Sequence, residues 1–454
     1  MNRTKQIHFT EALVILALIL SMIFTSLFVW KAEPHVALLA CILVVSFIGL
    51  MKGFSWKELE ASLVKGVQSG VQPILVLSLI GILIGAWMSS GTIPTIMTYA
   101  LTIINPSYLL ITALFSCMVI SSLVGSSFTT VSTVGVALMG AGMAVGLPLE
   151  WVAGAVISGA CFGDKMSPMS DTTNFASGVS SVKLFTHIRH MANTTVPSMI
   201  ITVIIFFIMG RFAEINTASI DDTANMISIM KENVHIHIST LLSPLLVILL
   251  ASRKVPVIPS LAAGIITAGL TAFLIQGVQI SEFLQILQNG TSFAIDHEVV
   301  ANMLNRGGLQ SMMWSISLIL IAFAFGGLLE GLHIIQALLK GFIERIHHKG
   351  SLIASTAASS IGVNLLTGEQ YLSILIPGQS FKELYDKLHL DRKYLSRTLE
   401  DGGTLINPLI PWGVSGAFFA QTLGVSVLEF LPFAFFLYLS LLFTIGYGFF
   451  TKRV

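Results

Sequence analysis

Long apolar runs alternate with short polar segments along the chain. Runs without a charged residue extend from Leu13 to Val29, from Ile74 to Trp87 and from Phe430 to Phe443. A helix needs about 20 apolar residues to cross the hydrocarbon core of a bilayer, and these runs approach or reach that length. The pattern therefore predicts an all-α polytopic membrane protein whose main partner is the lipid bilayer.

Composition agrees with this interpretation. Of 454 residues, 54% are hydrophobic and 10% are charged, against about 25% charged residues in soluble proteins. The net charge of +1 argues against a nucleic-acid partner. No small-residue cleavage motif follows the first apolar run, so we expect a retained helix rather than a signal peptide. Cys41, Cys117 and Cys161 lie in apolar segments, which indicates small buried side chains without disulfide or metal-ligand spacing.

The basic residues predict the orientation, because cytoplasmic loops carry an excess of Lys and Arg. Counting loops alternately from a cytoplasmic amino terminus puts only Lys31, Arg211, Lys231 and Arg306 outside. Both termini are therefore expected in the cytoplasm. The inner side receives Arg3, Lys5, Lys52, Lys57, Lys65, Lys183, Arg189, Arg253, Lys254, Lys340, Arg345, Lys349, the five basic residues from Lys382 to Arg397, Lys452 and Arg453.

A weak internal repeat divides the chain into halves. Each half begins with two apolar spans followed by an amphipathic stretch, at 54–59 in the first and 280–284 in the second. The first half enters the membrane from the inside and the second from the outside, so the predicted repeats are inverted, as in many secondary transporters. We predict transmembrane repeat 1 over 1–211, an external connecting loop over 212–235 and inverted repeat 2 over 236–454.

Each half also carries two polar, glycine-rich interruptions between apolar stretches too short to span. They lie at 125–130 and 162–174 in the first half, and at 367–370 and 400–408 in the second. Unwound backbone is tolerated at membrane depth only where it faces a cavity or an ion, because lipid cannot satisfy free peptide groups. We therefore predict discontinuous helices and re-entrant hairpins that meet at a site near the midplane.

The interruptions offer hard oxygen ligands of the kind that alkali cations prefer. Half-helix carboxyl ends present carbonyl oxygens, and Ser, Thr and Asn side chains complete the shell. A carboxylate at the bilayer centre costs about 2.5–3.5 kcal/mol on insertion scales, so Asp164 needs a purpose such as ion binding or proton carriage. Burial favours its protonated form and bound sodium favours its ionised form, so one carboxyl can hold either ion in turn. Such competition amounts to sodium/proton antiport.

The strings GSSFTT, FGDKMSPMSDTTN and LEDGGTLINPLIPW resemble the signature of the NhaC family of bacterial sodium/proton antiporters. The resemblance covers the whole chain. It implies a multi-pass protein of the bacterial inner membrane, in a larger group of ion-coupled transporters with inverted repeats and paired re-entrant hairpins. The expected partners are Na⁺ and H⁺ as transported ions, without a cofactor, and some relatives exchange malate and lactate with the same ions. A homodimer follows by analogy only.

The candidate binding residues come from all four interruptions. Asp164 aligns with Asp401 when the halves are compared, and Asp164 is the best candidate for the exchanging carboxyl group. As a transporter, the protein is expected to have no catalytic residues. The candidates are Ser127, Thr130, Asp164, Lys165, Ser167, Asp171, Thr172, Asn174, Glu369, Asp401, Thr404 and Asn407, with Asp164, Asp171 and Asp401 as candidate sodium ligands.

Each candidate has a structural alternative. Asp164 could cap a helix or neutralise Lys165, and Asp171 could cap the helix that follows it. Lys165 is either a snorkelling side chain, a countercharge that is released when an ion binds, or an anchor for a substrate carboxylate. Glu400 could belong to the cytoplasmic loop as a partner of Arg397. The hydroxyls of the first interruption could simply join helices, as Ser and Thr often do in membranes.

Other functional classes fit less well. An intramembrane aspartyl protease is expected to carry Gly-x-Gly-Asp, but Asp164 follows Cys-Phe-Gly. Neither the His-Glu-x-x-His motif of metalloproteases nor a nucleotide-binding Gly-x-x-x-x-Gly-Lys-[Ser/Thr] loop occurs. A passive channel requires a continuous pore, whereas inverted repeats with broken helices fit alternating access.

The main alternative is exchange of organic acids coupled to the same ions. A dicarboxylate usually requires bidentate Arg. Every Arg in the chain falls in a predicted loop or at a span end, and only Lys165 is central. Helix amino termini and hydroxyls can bind one carboxylate without Arg, so this observation favours inorganic exchange without excluding the alternative.

Overall fold

The computed structural model describes residues 7–213, 218–343, 346 and 348–450, and these are helical with no strand. The helices of the first part are α1 Phe9–Phe24, α2 Pro34–Met51, α3 Trp56–Ser69, α4 Val71–Ser89, α5 Thr92–Ile103, α6 Leu109–Val124, α7 Ser127–Thr130, α8 Val136–Ala144, α9 Leu149–Met166, α10 Asp171–Val179 and α11 Leu184–Phe212. Those of the second part are α12 Ala218–Asn233, α13 Leu242–Ser252, α14 Val257–Thr271, α15 Ile280–Asn289, α16 Glu298–Leu304, α17 Met313–Gly331, α18 Ile334–Ile343, α19 Lys349–Thr367, α20 Gln370–Lys387, α21 Arg392–Leu399, α22 Val414–Leu423, α23 Val427–Phe430 and α24 Phe435–Phe450.

Shorter turns join or extend these helices. Wider π-helical turns occur at Thr25–Val29, Val131–Gly135, Ala272–Gln276 and Glu400–Thr404, and tighter 3₁₀ turns at Pro106–Tyr108, Ile238–Leu241, Leu309–Met312, Asn407–Leu409 and Leu431–Phe433. Single π-helical turns within α-helical segments often occur at functional sites, because they change the direction of the side chains that follow. Two of the four lie beside predicted interruptions.

Within the described residues, eight helical segments are long and apolar enough to cross a membrane. Two further pairs of helices pass the same test if each bent pair, with bends of 84° and 92°, counts as one span. The prediction of an all-α multi-pass membrane protein is confirmed. The eight segments are Phe9–Val29, Pro34–Met51, Val71–Ser89, Pro106–Val124, Ser127–Ala144, Leu184–Phe212, Val257–Gln276 and Leu309–Gly331.

The two predicted amphipathic stretches form α3 and α15. A capping box starts α3: the Ser55 hydroxyl accepts the Glu58 backbone N–H, and the Glu58 carboxylate accepts the Ser55 N–H at 2.8 Å. Gly66 and Gly327 lie against each other where α3 packs on α17, and a side chain at either position would collide with backbone. The three cysteines are all buried and unpaired, as the sequence indicates.

The connecting segment differs from the prediction of a loop over 212–235. Its described part contains α12, which continues to Asn233. Met226 and Met230 are four residues apart on this helix and both are buried, so apolar packing of one face stabilises a helix in a mostly polar passage. Polar composition alone suggested a loop, but the spacing of these methionines is helical.

All four predicted interruptions coincide with breaks between helices. In the first and third, α6 and α19 end at Gly125 and Gly368, whose φ angles of +71° and +65° favour glycine. The next residue then caps the following helix: Ser126 accepts the N–H of Thr129 at 3.2 Å, and Glu369 accepts the N–H of Leu372 at 2.6 Å. The first and third breaks thus share one arrangement, a glycine with positive φ followed by a capping side chain.

The second break is shorter than predicted, and the fourth is longer. Helix α9 continues through Asp164 and Lys165 to Met166, so the break is confined to the four residues before Asp171. In the fourth interruption, the chain runs from the π-helical turn at Glu400–Thr404 without an α-helix until α22 begins at Val414. The candidate carboxyl groups therefore lie at helix ends rather than in open loops.

Candidate functional site

Asp164 lies in the last turn of α9 and faces the start of α7. Its Oδ2 accepts hydrogen bonds from the backbone N–H of Ser127 at 3.0 Å and from the Ser127 hydroxyl at 2.7 Å. The carboxyl group is partly buried. The amino terminus of a helix favours negative charge, although α7 is only one turn long and π-helical residues extend it. The first two interruptions thus meet at one carboxyl group.

Lys165 and Asp401 form an ion pair with both side chains fully buried. The Lys165 ammonium also donates to the Ser440 hydroxyl at 2.9 Å, and Ser440 donates to Asp401 Oδ1 at 2.8 Å. The Thr444 hydroxyl donates to Asp401 Oδ2. A cation and two hydroxyls therefore satisfy the Asp401 carboxylate, and the pair joins repeat-like segments that are 236 positions apart.

Glu400 is also fully buried, directly beside Asp401 in the sequence. Its Oε1 accepts a hydrogen bond from the Thr172 hydroxyl at 3.1 Å, while Oε2 has no partner among the described residues. The Ser170 hydroxyl lies 3.1 Å from that of Thr172. The Thr404 hydroxyl, one turn after Glu400, faces the Glu400 carboxyl group but makes no hydrogen bond of good geometry within the described chain.

The remaining predicted candidates mainly complete local structure. Asp171 and Asn174 are exposed on α10, and the Asn174 amide donates to the backbone oxygen of Ser170 at 2.7 Å. These contacts stabilise helix ends, which is the structural alternative for such residues. In the same way, Ser167 accepts the N–H of Met169, Thr130 donates to the Ser126 carbonyl, and Glu369 caps α20. The Asn407 amide donates to Asn364 and to the Gly368 carbonyl, and its oxygen accepts the N–H of Ser415.

Arg397 corrects the sequence-based statement that every Arg falls in a loop or at a span end. It is fully buried, and its guanidinium lies 5.3 Å from the Tyr394 ring centre and 4.9 Å from that of Tyr447. All three guanidinium nitrogens lack a hydrogen-bond partner among the described residues. Cation–π contacts of this kind stabilise the charge, and the negative charge of Asp401, one turn further along, also acts on it.

Sequence reasoning missed Glu400, Ser440 and Thr444 as members of the site. Ser440 and Thr444 are four residues apart in α24, so they share one face of an otherwise apolar helix. A pair of hydroxyl residues at this spacing in an apolar helix is a sequence signal that could have identified both as members of the site. For Glu400 the sequence leaves open a place in the cytoplasmic loop as a partner of Arg397, but the residue is fully buried beside Asp401.

A cavity of about 410 Å³ is lined by Arg306, Gln421 and Thr422, among others. Phe418, one turn before Thr422, stacks on Phe128 with ring centres 4.6 Å apart. Phe128 directly follows the serine that binds Asp164. The stacked rings therefore join the segment that binds Asp164 to the helix that contributes Gln421 and Thr422 to the cavity lining.

Comparison with known proteins identifies the family. A sequence model described as the Na⁺/H⁺ antiporter family matches residues 159–452, which include the second, third and fourth interruptions. The chain belongs to the Na⁺/H⁺ antiporter family. Two relatives within it, both named Na⁺/H⁺ antiporter NhaC, match over nearly their full lengths, which confirms the resemblance to the NhaC family.

The antiporter relatives differ in what their names say they carry. NhaC of Bacillus subtilis is 56% identical over 453 residues, covering 100% of both chains. NhaC of Alkalihalophilus pseudofirmus is 50% identical over 450 residues, covering 99% of this chain and 96% of the relative. The malate-2H⁺/Na⁺-lactate antiporter of Bacillus subtilis is 33% identical over 444 residues, covering 98% and 95%.

Proposed function

We propose that the protein exchanges Na⁺ for H⁺ across the bacterial cell membrane by alternating access, and that Asp164 binds the two ions competitively. The observation that carries this proposal is the position of Asp164, a partly buried carboxyl group at a helix end that receives two hydrogen bonds from Ser127. Oxygen ligands and a titratable group at a break between helices suit a small cation and a proton alike. The names of the two NhaC relatives support the same pair of ions.

The contacts between loops support the proposed topology. Lys52 pairs with Glu11, and the Lys65 ammonium lies 3.1 Å from the Glu330 carboxylate, all at positions expected inside. The Gln276 amide donates to the carbonyls of Ser90 and His235, all expected outside. Residues assigned to opposite sides would not meet in this way.

The inverted repeats over 1–211 and 236–454 are supported by the matching glycine-and-cap breaks of the two halves.

The test is sodium-driven proton movement in sealed proteoliposomes that contain a pH-sensitive dye. Adding sodium outside is expected to move protons in the wild-type protein, without any organic acid present. Asp164→Asn is expected to abolish the signal, because an amide can neither carry the proton nor supply a negative ligand. The matched control is Glu150→Gln, at the other end of α9, which should transport normally. Full transport by Asp164→Asn would refute the role of this residue.

Exchange of organic acids is the second candidate. The buried Arg397 favours it, because its unpaired guanidinium removes the argument that no Arg is available in the interior. A relative that is 33% identical is named for malate and lactate. If proteoliposomes respond to sodium only after malate or lactate is supplied, this second function replaces the first.

A further inference from the structure

The fourth interruption contains two adjacent carboxyl groups, Asp401 and Glu400. Both oxygens of Asp401 have hydrogen-bond partners, whereas one oxygen of Glu400 has none among the described residues. Lys165 and two hydroxyls surround Asp401. Glu400 is as deeply buried, yet the described residues supply one hydrogen bond, from Thr172, and leave Oε2 without a partner. A buried carboxylate loses its hydration and requires a replacement. Glu400 therefore needs a proton, a cation or a further hydrogen-bond donor.

The direction of each side chain explains the difference. Successive residues on a helix point about 100° apart, so neighbours in the sequence face different surroundings. Asp401 faces Lys165, whereas Glu400 faces Thr172 in the first turn of α10. Thr404 is four residues after Glu400 in the same π-helical turn, and its hydroxyl faces the Glu400 carboxyl group without a hydrogen bond of good geometry to any described residue. Two oxygen groups with unused ligand capacity thus belong to the same turn.

Asp164 lies on the other side of these groups. Its negative charge is close enough to act on Glu400. Between them lie the hydroxyls of Ser170 and Thr172, 3.1 Å apart, of which Thr172 contacts Glu400. Two buried carboxylates that act on each other repel unless a cation or a proton lies between them. Carboxylate and hydroxyl oxygens are suitable ligands for hard cations.

On the basis of the sodium/proton exchange proposed above, we propose that Glu400 is the second carboxylate ligand of the transported sodium ion. Na⁺ binds between Asp164 and Glu400, and the hydroxyl oxygens of Thr172 and Thr404 complete its coordination. Asp401, although aligned with Asp164 in the repeats, acts as the counterion of Lys165 and does not contact sodium. Breaks from both halves thus contribute one carboxylate each to the ion.

The first test measures sodium binding to the purified protein in detergent by isothermal titration calorimetry, without transport. Glu400→Gln is expected to weaken sodium binding by about tenfold or more, because a charged ligand is lost. The matched control is Glu282→Gln, an exposed position on α15, which should bind as the wild type does. Wild-type affinity in Glu400→Gln overturns this assignment. Absence of sodium binding to the wild type would instead overturn the proposed exchange itself.

A second variant keeps the test decisive if Glu400→Gln does not fold. Thr404→Ala removes a hydroxyl that faces the charged group of Glu400, and this loss should affect folding less than the loss of a buried carboxyl group. Its sodium affinity is expected to fall by about threefold to tenfold, and the sodium-induced rise in thermal midpoint should shrink accordingly. An unchanged affinity in Thr404→Ala removes this hydroxyl from the coordination and overturns the site as described.

Discussion

At the scale of single residues, the buried pair of Lys165 and Asp401 shows how charge is held inside the membrane region. The cost of removing both ions from water is offset by their mutual attraction and by hydroxyls that satisfy the remaining hydrogen-bonding positions. Such a pair stabilises little compared with apolar side chains of equal size, but losing one partner is costly. The pair therefore fixes which segments face each other.

Asp401→Asn is expected to lower the free energy of unfolding by about 3–5 kcal/mol, because it leaves the Lys165 ammonium buried without a counterion. The measurement is thermal unfolding in detergent followed by circular dichroism. Combining Asp401→Asn with Lys165→Met should recover most of the loss, since no charge then remains. The control Glu330→Gln breaks an ion pair at 3.1 Å that is largely exposed and should cost less than about 1 kcal/mol. Equal losses in both single variants would contradict this interpretation.

The sequence identified the charged residues that stand in apolar segments, but not which of them form ion pairs with each other. Asp164 and Lys165 are neighbours, and mutual neutralisation was a reasonable alternative. The structure shows them facing different segments, with Lys165 paired to Asp401 across 236 positions. Pairing over such a distance depends on how the helices pack, which the local pattern does not contain. The free oxygen of Glu400 was unpredictable for the same reason.

At the scale of elements, the helix breaks are the feature that positions the site. Glycine, Ser and Thr in an apolar context predicted all four, since only glycine readily adopts the positive φ angles seen at Gly125 and Gly368. The length of the second break was not predicted. Helix α9 continues to Met166 because the effective stop signal is Pro168, which pushes Ser167 into the extended conformation with ψ of 131°.

Gly368→Ala is expected to destabilise the protein by about 1–2 kcal/mol, because its φ angle of +65° is unfavourable for a side chain. An added Cβ would also lie 2.7 Å from the carbonyl oxygen of Trp412. The matched control is Gly362→Ala in the same helix α19, where nothing lies within 4 Å. That change should be neutral or stabilise by about 0.5–1 kcal/mol. Similar unfolding midpoints for the two variants would refute the strain argument.

At the scale of the whole molecule, an aromatic contact joins the segment that binds Asp164 to the helix that contributes to the cavity lining. Phe418 is fully buried and stacks on Phe128. The cavity lining includes Arg306, which the charge pattern assigns to the outer side. Alternating access requires a barrier between each side and the ion at some stage of the cycle. For the alternating access proposed above, we expect the stacked rings to form part of that barrier.

Phe418→Ala removes the ring that stacks on Phe128, beside the serine that binds Asp164, and is expected to raise proton leakage without sodium. The measurement is decay of an imposed pH difference in proteoliposomes. Phe418→Leu is the control, since it keeps most of the apolar volume and should remain close to the wild type. If the alanine variant is as tight as the wild-type protein, the stacked rings are not the barrier.

The burial of all three native cysteines determines how such motions can be followed by chemical labelling. Cys41, Cys117 and Cys161 are shielded from reagents in the folded protein. A cysteine introduced at Gln421, in the cavity, would therefore be the main reactive thiol without any native cysteine being replaced. A membrane-impermeant maleimide that modifies it in intact cells would show that the cavity opens outwards. The same shielded thiols become reactive when the chain unfolds, so the unmodified protein reports its own denaturation to a thiol-sensitive dye.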